Sequence, residues 1–301
     1  MSACNSKQWV GAMLAAMVLA APARGGEDRS VEQRVAAEPN GEVFVNVVTG
    51  DLKIEGWDRP EVEVTGTIGS GVERLDVVRD GRRVTVKPVL PKLDVRDADA
   101  DLSIRVPRGS LLEVTTVSAD AEVRDVAGPL RLKSVSGEIT ARAVAQDSEF
   151  KSVSGDIHVV AGPQPAKLTA YSVSGSLVID DLSGELEATT VSGDMGLDLD
   201  TIDRLRMRTT SGDARVGGRL AKAGQVEFES ISGDLSLKVG AEAGFIADVD
   251  TFSGSLSNCF GVRSEPVSKY GPGERMSVTR GEGGARIRAK TMSGDVRVCD
   301  R

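Results

Sequence analysis

The stretch LRLKSVSGEITA, residues 130–141, contains the pattern that decides the fold. Apolar residues at positions 130, 132, 139 and 141 alternate with polar ones on both sides of Gly137. Alternation with a period of two indicates strands that bury one face. A Ser-Gly pair between two such runs indicates a sharp corner, since glycine accepts backbone conformations that a β-carbon opposes. The stretch therefore predicts a strand, a corner and a second strand.

The same unit recurs along the chain, usually with a Ser-Gly-Asp core. Successive corners from Ala119 to Gly254 are separated by 18, 18, 20, 18, 19, 21 and 21 residues. A fixed period of about 20 residues is the mark of a repeat architecture. The predicted structural corner glycines are Gly50, Gly137, Gly155, Gly175, Gly193, Gly212, Gly233, Gly254 and Gly294.

A unit of about 19 residues with two short strands cannot bury both apolar stripes alone, so it must stack on its neighbours. The sequence therefore predicts an all-β fold, a single-stranded parallel β-solenoid of two-strand rungs. The alternative is an antiparallel β-sandwich or meander in which each Ser-Gly-Asp forms the turn of a hairpin.

The N-terminal residues have the features of an export signal. Lys7 precedes an apolar run, and the triplet 21–23, Ala-Pro-Ala, has the small residues that signal peptidase requires. We expect residues 1–23 to be a signal peptide, with an uncleaved anchor as the alternative. The later stretches carry too many charges for a membrane span, so we do not expect an integral membrane protein.

Further along, the regularity of the repeat divides the chain. We expect a flexible N-terminal segment over residues 24–39, degenerate starting β-repeats over 40–118 and regular Ser-Gly-Asp repeats over 119–258. Residues 259–301 would form an insertion and a C-terminal capping repeat. The formal net charge of −8 and the isoelectric point near 5.0 argue against a nucleic-acid partner.

Several motifs resemble a known family, the bacterial β-strand-repeat proteins of unknown function often labelled "putative adhesins". The matching features are the Val-Ser-Gly-Asp repeats, the segment 56–62 (GWDRPEV), the strand exit 105–109 (RVPRG) and the closing Ser-Gly-Asp at 293–295. The resemblance spans about residues 40–298. It implies repeat architecture and an adhesin-like role, and it implies no catalytic residues.

The serines before the corner glycines are the first candidates for chemistry. An enzyme needs one activated serine, whereas these are equivalent copies, which favours a structural role. His158, the only histidine, is predicted to face outward without a conspicuous carboxylate partner. We therefore predict no catalytic residue, no metal site and no cofactor.

An acidic residue follows most corners and would stack on its equivalents about 5 Å away. Either these carboxylates are solvated and accept hydrogen bonds from corner N–H groups, or divalent cations bridge them. The series is Asp51, Asp120, Glu138, Asp156, Asp194, Asp213, Asp234 and Asp295, interrupted by Ser176 and Ser255.

Two classes of function remain. The first is a non-enzymatic binding, adhesin-like or structural scaffold of the cell envelope, in the periplasm or at the cell surface. Its partner would be an envelope protein or glycan, and the rod ends could self-associate. The alternative is a β-helix-type carbohydrate-active enzyme, whose unique residues would come from the irregular segment 259–286. That segment contains Arg263, Glu265, Lys269, Tyr270, Glu274 and Arg275.

Cys259 and Cys299 would be the cysteines of the mature chain, and an even pair in an exported protein normally oxidises. Each lies five residues after its corner glycine, Gly254 or Gly294. If residues 260–286 are an excursion, the two units stack directly and a disulfide forms. An intact intervening rung would separate the α-carbons by about 10 Å, too far to bridge.

Overall fold

The computed structural model describes residues 28–91, 98–242, 244–269 and 271–300. The expected signal peptide, residues 1–23, lies outside the described residues. The strands are β1 Arg29–Ala36, β2 Glu42–Val47, β3 Asp51–Trp57, β4 Glu61–Ile68, β5 Arg74–Asp80, β6 Arg83–Val89, β7 Ala100–Pro107, β8 Leu111–Thr116, β9 Asp120–Arg124, β10 Leu130–Ser134, β11 Ile139–Val144, β12 Ser148–Ser152, β13 Ile157–Ala161, β14 Ala166–Ser172, β15 Leu177–Asp180, β16 Ser183–Thr190, β17 Met195–Ser211, β18 Ala214–Ser232, β19 Leu235–Ala241, β20 Gly244–Ser253, β21 Leu256–Asn258, β22 Glu265–Pro266, β23 Glu274–Gly281, β24 Ala285–Ser293 and β25 Val296–Cys299.

Each rung has one strand before its corner and one after it, and each strand pairs in parallel with the equivalent strand of the next rung. Leu132 of β10 lies opposite Phe150 of β12, and Ile139 of β11 lies opposite Ile157 of β13. We call the strands that precede the corners the first face and those that follow them the second face. The parallel stacking confirms the β-solenoid and excludes the stack of hairpins.

The core lies between the two faces and consists of the inward residues of every strand. β10 and β11 alternate buried and exposed positions, as their sequence predicts. Most core residues are Val, Leu, Ile and Ala, with Phe150 and Phe228 the largest fully buried side chains. A fully buried aliphatic side chain contributes roughly 1.5–3 kcal/mol, so the stacked layers supply most of the stability.

The order of the rungs differs from the order of the sequence at the C-terminal end. β24 lies between β18 and β20 on the first face, and β25 lies between β19 and β21 on the second. The sequence predicts that the unit at Gly294 caps the rod. In the structure it does not. It is inserted before the unit at Gly254, and the antiparallel β23 covers β20 beyond it.

The N-terminal end has the same arrangement. The rung of β2 and β3 lies between the rung of β6 and β7 and the rung of β8 and β9. Two antiparallel strands then cover the end, β4 on β7 and β5 on β6. Residues 40–118 are therefore not simple starting rungs, because part of this region forms a cap.

The segment 24–39, expected to be flexible, contains β1, which pairs antiparallel with β4 over its whole length. The Arg29 guanidinium donates hydrogen bonds to the carbonyl oxygens of Val72 and Glu73, and the Gln33 amide donates to Leu75. These bonds tie β1 to β5 and to the two residues before it, so the strand completes the cap. Within the described residues, no helix has the length and apolarity needed to cross a membrane.

Candidate binding face

A column of exposed apolar side chains follows the corners along the rod. Each stands two residues before a corner residue, and the exposed fractions run from 38% at Val191 to 59% at Met292, except at the half-buried Val173. We call this column the corner ridge. In spatial order it consists of Val117, Val135, Val153, Val173, Val191, Ile231, Met292 and Phe252, with Thr210 between Val191 and Ile231.

In the central rungs, the serine after a ridge residue bonds to the preceding rung. The Ser136 N–H donates to the Val117 carbonyl oxygen at 2.8 Å, and its hydroxyl donates to the same oxygen at 3.1 Å. Ser154, Ser174 and Ser192 make the same pair of bonds to their neighbours. These hydroxyls act as structural donors, which agrees with their equivalence in the sequence.

The corner glycines form a column of close backbone approaches. A β-carbon at Gly193 would lie 2.1 Å from the carbonyl oxygen of Gly175, and one at Gly155 would lie 2.0 Å from that of Gly137. Such distances are far inside van der Waals contact. The corner needs glycine chiefly because the rungs approach closely there.

Buried hydroxyl groups form a second column along the corners. Their structural role was not predicted from the sequence. The N–H groups of Gly155, Gly175 and Gly193 donate to the hydroxyl of the residue three positions earlier at 2.8–2.9 Å. Those acceptors are Ser152, Ser172 and Thr190, all buried. The signal was present, because Ser or Thr occupies this position from Thr116 to Thr291.

The acidic residues after the corners form a ladder that uses backbone N–H groups. Asp156 Oδ1 accepts from the Ser176 N–H at 2.7 Å, and Asp194 Oδ1 accepts from the Asp213 N–H at 2.9 Å. The Ser255 N–H donates to Asp295 Oδ1 at 2.8 Å, and this bond lowers the pKa of Asp295. The ladder comprises Asp51, Asp120, Glu138, Asp156, Asp194, Asp213, Asp234 and Asp295.

The ladder carries negative charge. Among the described residues, no ion pair involves a ladder carboxylate, and no group of three or more His, Cys, Asp or Glu side chains could hold a metal ion. The hydrogen-bond geometry agrees with the first of the two alternatives drawn from the sequence, in which the carboxylates accept hydrogen bonds from corner N–H groups.

His158 lies on the outer side of β13, as expected, but it has a carboxylate partner. Its Nε2 atom is 3.1 Å from Asp180 Oδ2, and both side chains are 36% exposed. The contact is not evident from the sequence, because the two residues belong to adjacent rungs and are 22 positions apart. The pair is a surface contact between rungs.

The irregular segment 259–286 serves the C-terminal cap. Glu265 in β22 pairs with Arg275 in β23, and the Arg275 guanidinium donates to Asp250 Oδ1 of β20 at 2.5 Å. Arg263 and Lys269 are exposed. Tyr270 lies outside the described residues. The resolved contacts of Arg275 join strands of the cap to one another.

Cys259 and Cys299 form a disulfide with their α-carbons 4.9 Å apart. β21 pairs directly with β25, and residues 260–284 form the excursion that the sequence allows. The bridge therefore joins the last rung of the stack to the inserted rung beside it.

Comparison with known proteins identifies the repeat. The family model described as Toastrack DUF4097 matches residues 6–181 and 166–299. No match was found among curated proteins. Among solved structures, a "putative adhesin" from Parabacteroides distasonis ATCC 8503 is 13% identical, with a TM-score of 0.51 over 90% of this chain and 97% of that one. A "putative lipid binding protein" from the same organism is also 13% identical, with a TM-score of 0.54 over 91% and 99%. At such identities the likeness shows the fold alone.

Proposed function

The chain belongs to the Toastrack DUF4097 family, and from this premise we propose that it is a non-enzymatic binding scaffold exported to the bacterial cell envelope. The observation that carries the proposal is the corner ridge. It is a long and regular apolar column, interrupted by Thr210 and exposed except at the half-buried Val173, whereas the inward apolar stripes of the described strands are buried. Contiguous exposed apolar patches mark interaction sites.

The equivalence of the units supports binding over catalysis. A catalytic centre needs one place where an acid, a base or a nucleophile is set apart by its surroundings. Here the corner serines make the same hydroxyl bonds in the central rungs, and the corner carboxylates accept equivalent N–H groups in several rungs. Repetition suits a partner that is itself long, since each rung adds a similar contact.

Export is supported by the disulfide and by the features of residues 1–23. A disulfide persists in oxidising compartments such as the periplasm or the cell surface. The names of the two solved structures, an adhesin and a lipid binding protein, agree with a binding role for the fold. The partner on this view is an envelope protein or glycan.

Two experiments test the proposal. Cell fractionation of the full chain and of a variant without residues 1–23 should place only the full chain outside the cytoplasm, with Cys259 and Cys299 oxidised. Pull-down from envelope fractions should recover a partner with the native chain and lose it when Val135, Val153 and Val191 are replaced by serine. Retention of the full chain in the cytoplasm would show the proposal to be wrong. Recovery of the same partner by the serine variant would also show it to be wrong.

A further inference from the structure

We propose that the corner ridge and the acidic ladder together bind a basic amphipathic peptide segment of a protein partner. This proposal rests on the binding role given above and names the chemistry of the ligand. The two columns run side by side, because only the corner serine and glycine separate a ridge residue from its ladder carboxylate. Val153 and Asp156 are such a pair, and both are exposed.

The ridge supplies the apolar half of the site. Parallel strands are about 4.8 Å apart, so the nine rungs from Val117 to Phe252 give a strip about 40 Å long. Along it only Thr210 replaces an apolar residue. The strip is long enough for a peptide of several turns and too narrow for a globular apolar surface.

The backbone beside the ridge is already satisfied. The Val135 carbonyl oxygen accepts the N–H and the hydroxyl of Ser154, and the Val153 carbonyl oxygen accepts those of Ser174. A partner therefore cannot add a strand here by main-chain hydrogen bonds, as it does at an open sheet edge. Recognition at the ridge must come from side chains.

The ladder decides the sign of the partner's charge. Its carboxylates make no ion pair among the described residues, whereas the other flank of the ridge is neutralised in part. There Lys133 pairs with Glu113 at 3.2 Å and Arg208 pairs with Glu229 at 3.1 Å. Lys290 on this flank makes no ion pair among the described residues either, but it is outnumbered by the ladder carboxylates. The uncompensated charge beside the ridge is therefore mainly negative, and electrostatic complementarity favours Lys and Arg in the ligand.

A basic amphipathic helix fits this pattern in size and in period. One helical turn rises 5.4 Å, close to the strand spacing of about 4.8 Å, so apolar side chains stay near successive ridge residues for three or four turns. Basic side chains next to that apolar stripe then reach the ladder. A second copy of this chain would present another acidic ladder, and repulsion between like charges would oppose it.

The test uses synthetic peptides and the full oxidised protein. The probe is a fluorescently labelled 18-residue Leu/Lys peptide of amphipathic helical pattern. The controls are a Leu/Glu peptide of the same pattern and a Leu/Lys peptide of scrambled pattern. We expect anisotropy titrations to give clear binding of the probe only. The affinity should fall as salt is added, since exposed charges are screened.

Two variants separate the halves of the site. Replacement of Asp156, Asp194 and Asp213 by asparagine keeps the Oδ1 acceptor of each ladder bond and removes the charge. The ridge variant replaces Val135, Val153 and Val191 by serine. Each should raise the Kd of the probe about tenfold or more, which corresponds to about 1.4 kcal/mol.

A matched control removes three exposed negative charges away from the corners, with Asp200 and Asp203 replaced by asparagine and Glu242 by glutamine. It should keep the Kd within about twofold of the native value. Circular dichroism and unfolding curves of every variant verify that the fold is retained.

Several outcomes would overturn the proposal. They are equal affinity of the ladder variant and the native protein, equal affinity for the Leu/Glu or scrambled peptide, and a ridge-dependent dimer in light scattering. If the probe does not bind but an envelope component is captured through the ridge, the peptide ligand is rejected and the binding role stands. If the probe does not bind and no envelope component is captured through the ridge, the binding role is rejected as well.

Discussion

Arg288 of β24 lies opposite Glu227 of β18 in the register of the two parallel strands. On its other side, Arg288 lies opposite Asp248 of β20. A basic strand is thus inserted between two acidic ones. Without it, Glu227 and Asp248 would stand opposite each other, and like charges in that position are destabilising. Charge along the first face therefore favours the insertion of the last rung.

We expect Arg288→Glu to lower the free energy of unfolding by about 1–2 kcal/mol, because it replaces two favourable cross-strand pairs by two unfavourable ones. Urea unfolding followed by circular dichroism measures the change. The matched control is Arg297→Glu in the same rung, since Arg297 stands between Ser236 and Ser257. The control should change stability by less than about 0.5 kcal/mol, and equal losses in the two variants would contradict the electrostatic explanation.

The repeat, the strands and the corners could be predicted from the sequence because each depends on residues close together in the chain. The order of the rungs could not. It depends on contacts such as the bond from the Asp295 N–H to Asp234 Oδ1, whose residues are 61 positions apart. The charges of opposite sign on these strands are visible in the sequence and favour this order of the rungs. Only the register between the strands shows which charged residues are neighbours.

The ridge was missed for a different reason. Val135 and Val153 look like ordinary core residues of a strand in the sequence, because they are apolar and β-branched. Their buried neighbours, Ser134 and Ser152, are the polar residues instead. The alternation that begins at Leu130 and Leu132 does place Ser134 inward and Val135 outward, but the hydrophobicity of the valine alone would favour its burial.

We expect the disulfide between Cys259 and Cys299 to contribute about 4 kcal/mol to stability in the chain-entropy model, given the 40 residues that separate them. Replacement of both cysteines by serine, or reduction, should lower the urea midpoint accordingly. Alkylation of the unreduced, denatured protein should label neither Cys259 nor Cys299. Two labelled thiols in mass spectrometry would contradict the bridge.

Gly193→Ala should destabilise the protein by about 3 kcal/mol, because the new β-carbon would meet the Gly175 carbonyl oxygen at 2.1 Å. Gly155→Ala and Gly233→Ala should behave alike, since their β-carbons meet equivalent oxygens. Gly196→Ala is the control, with no heavy atom within 4 Å of the added carbon. Thermal and urea unfolding measure the series. Equal tolerance of alanine at 193 and 196 would show that the close approach is unimportant.

Asp295 should make stability depend on pH. Its pKa is lowered by hydrogen bonds from Ser255, so the folded state favours the charged carboxylate. That contribution is present above the ordinary aspartate pKa and is lost as the pH falls through the lowered value. Asp295→Asn keeps an oxygen acceptor and does not titrate, so its unfolding free energy should fall less between about pH 5 and pH 2. Identical pH profiles for the two proteins would contradict this role.

Thr190 and Thr209 occupy equivalent buried positions in adjacent rungs and should respond in opposite directions to valine, which has nearly the same shape. Thr190 Oγ1 accepts the Gly193 N–H at 2.9 Å, so Thr190→Val leaves a buried donor without its acceptor and should cost about 1–3 kcal/mol. Thr209 Oγ1 is buried and has no hydrogen-bond partner in the described part of the chain, while the Gly212 N–H donates to the Ser232 carbonyl oxygen at 3.2 Å. Thr209→Val removes an unsatisfied hydroxyl from the core and should stabilise the protein by about 1 kcal/mol. Urea unfolding measures the stability of the two variants. A similar decrease in the free energy of unfolding of both would mean that the hydroxyl column has one role in every rung.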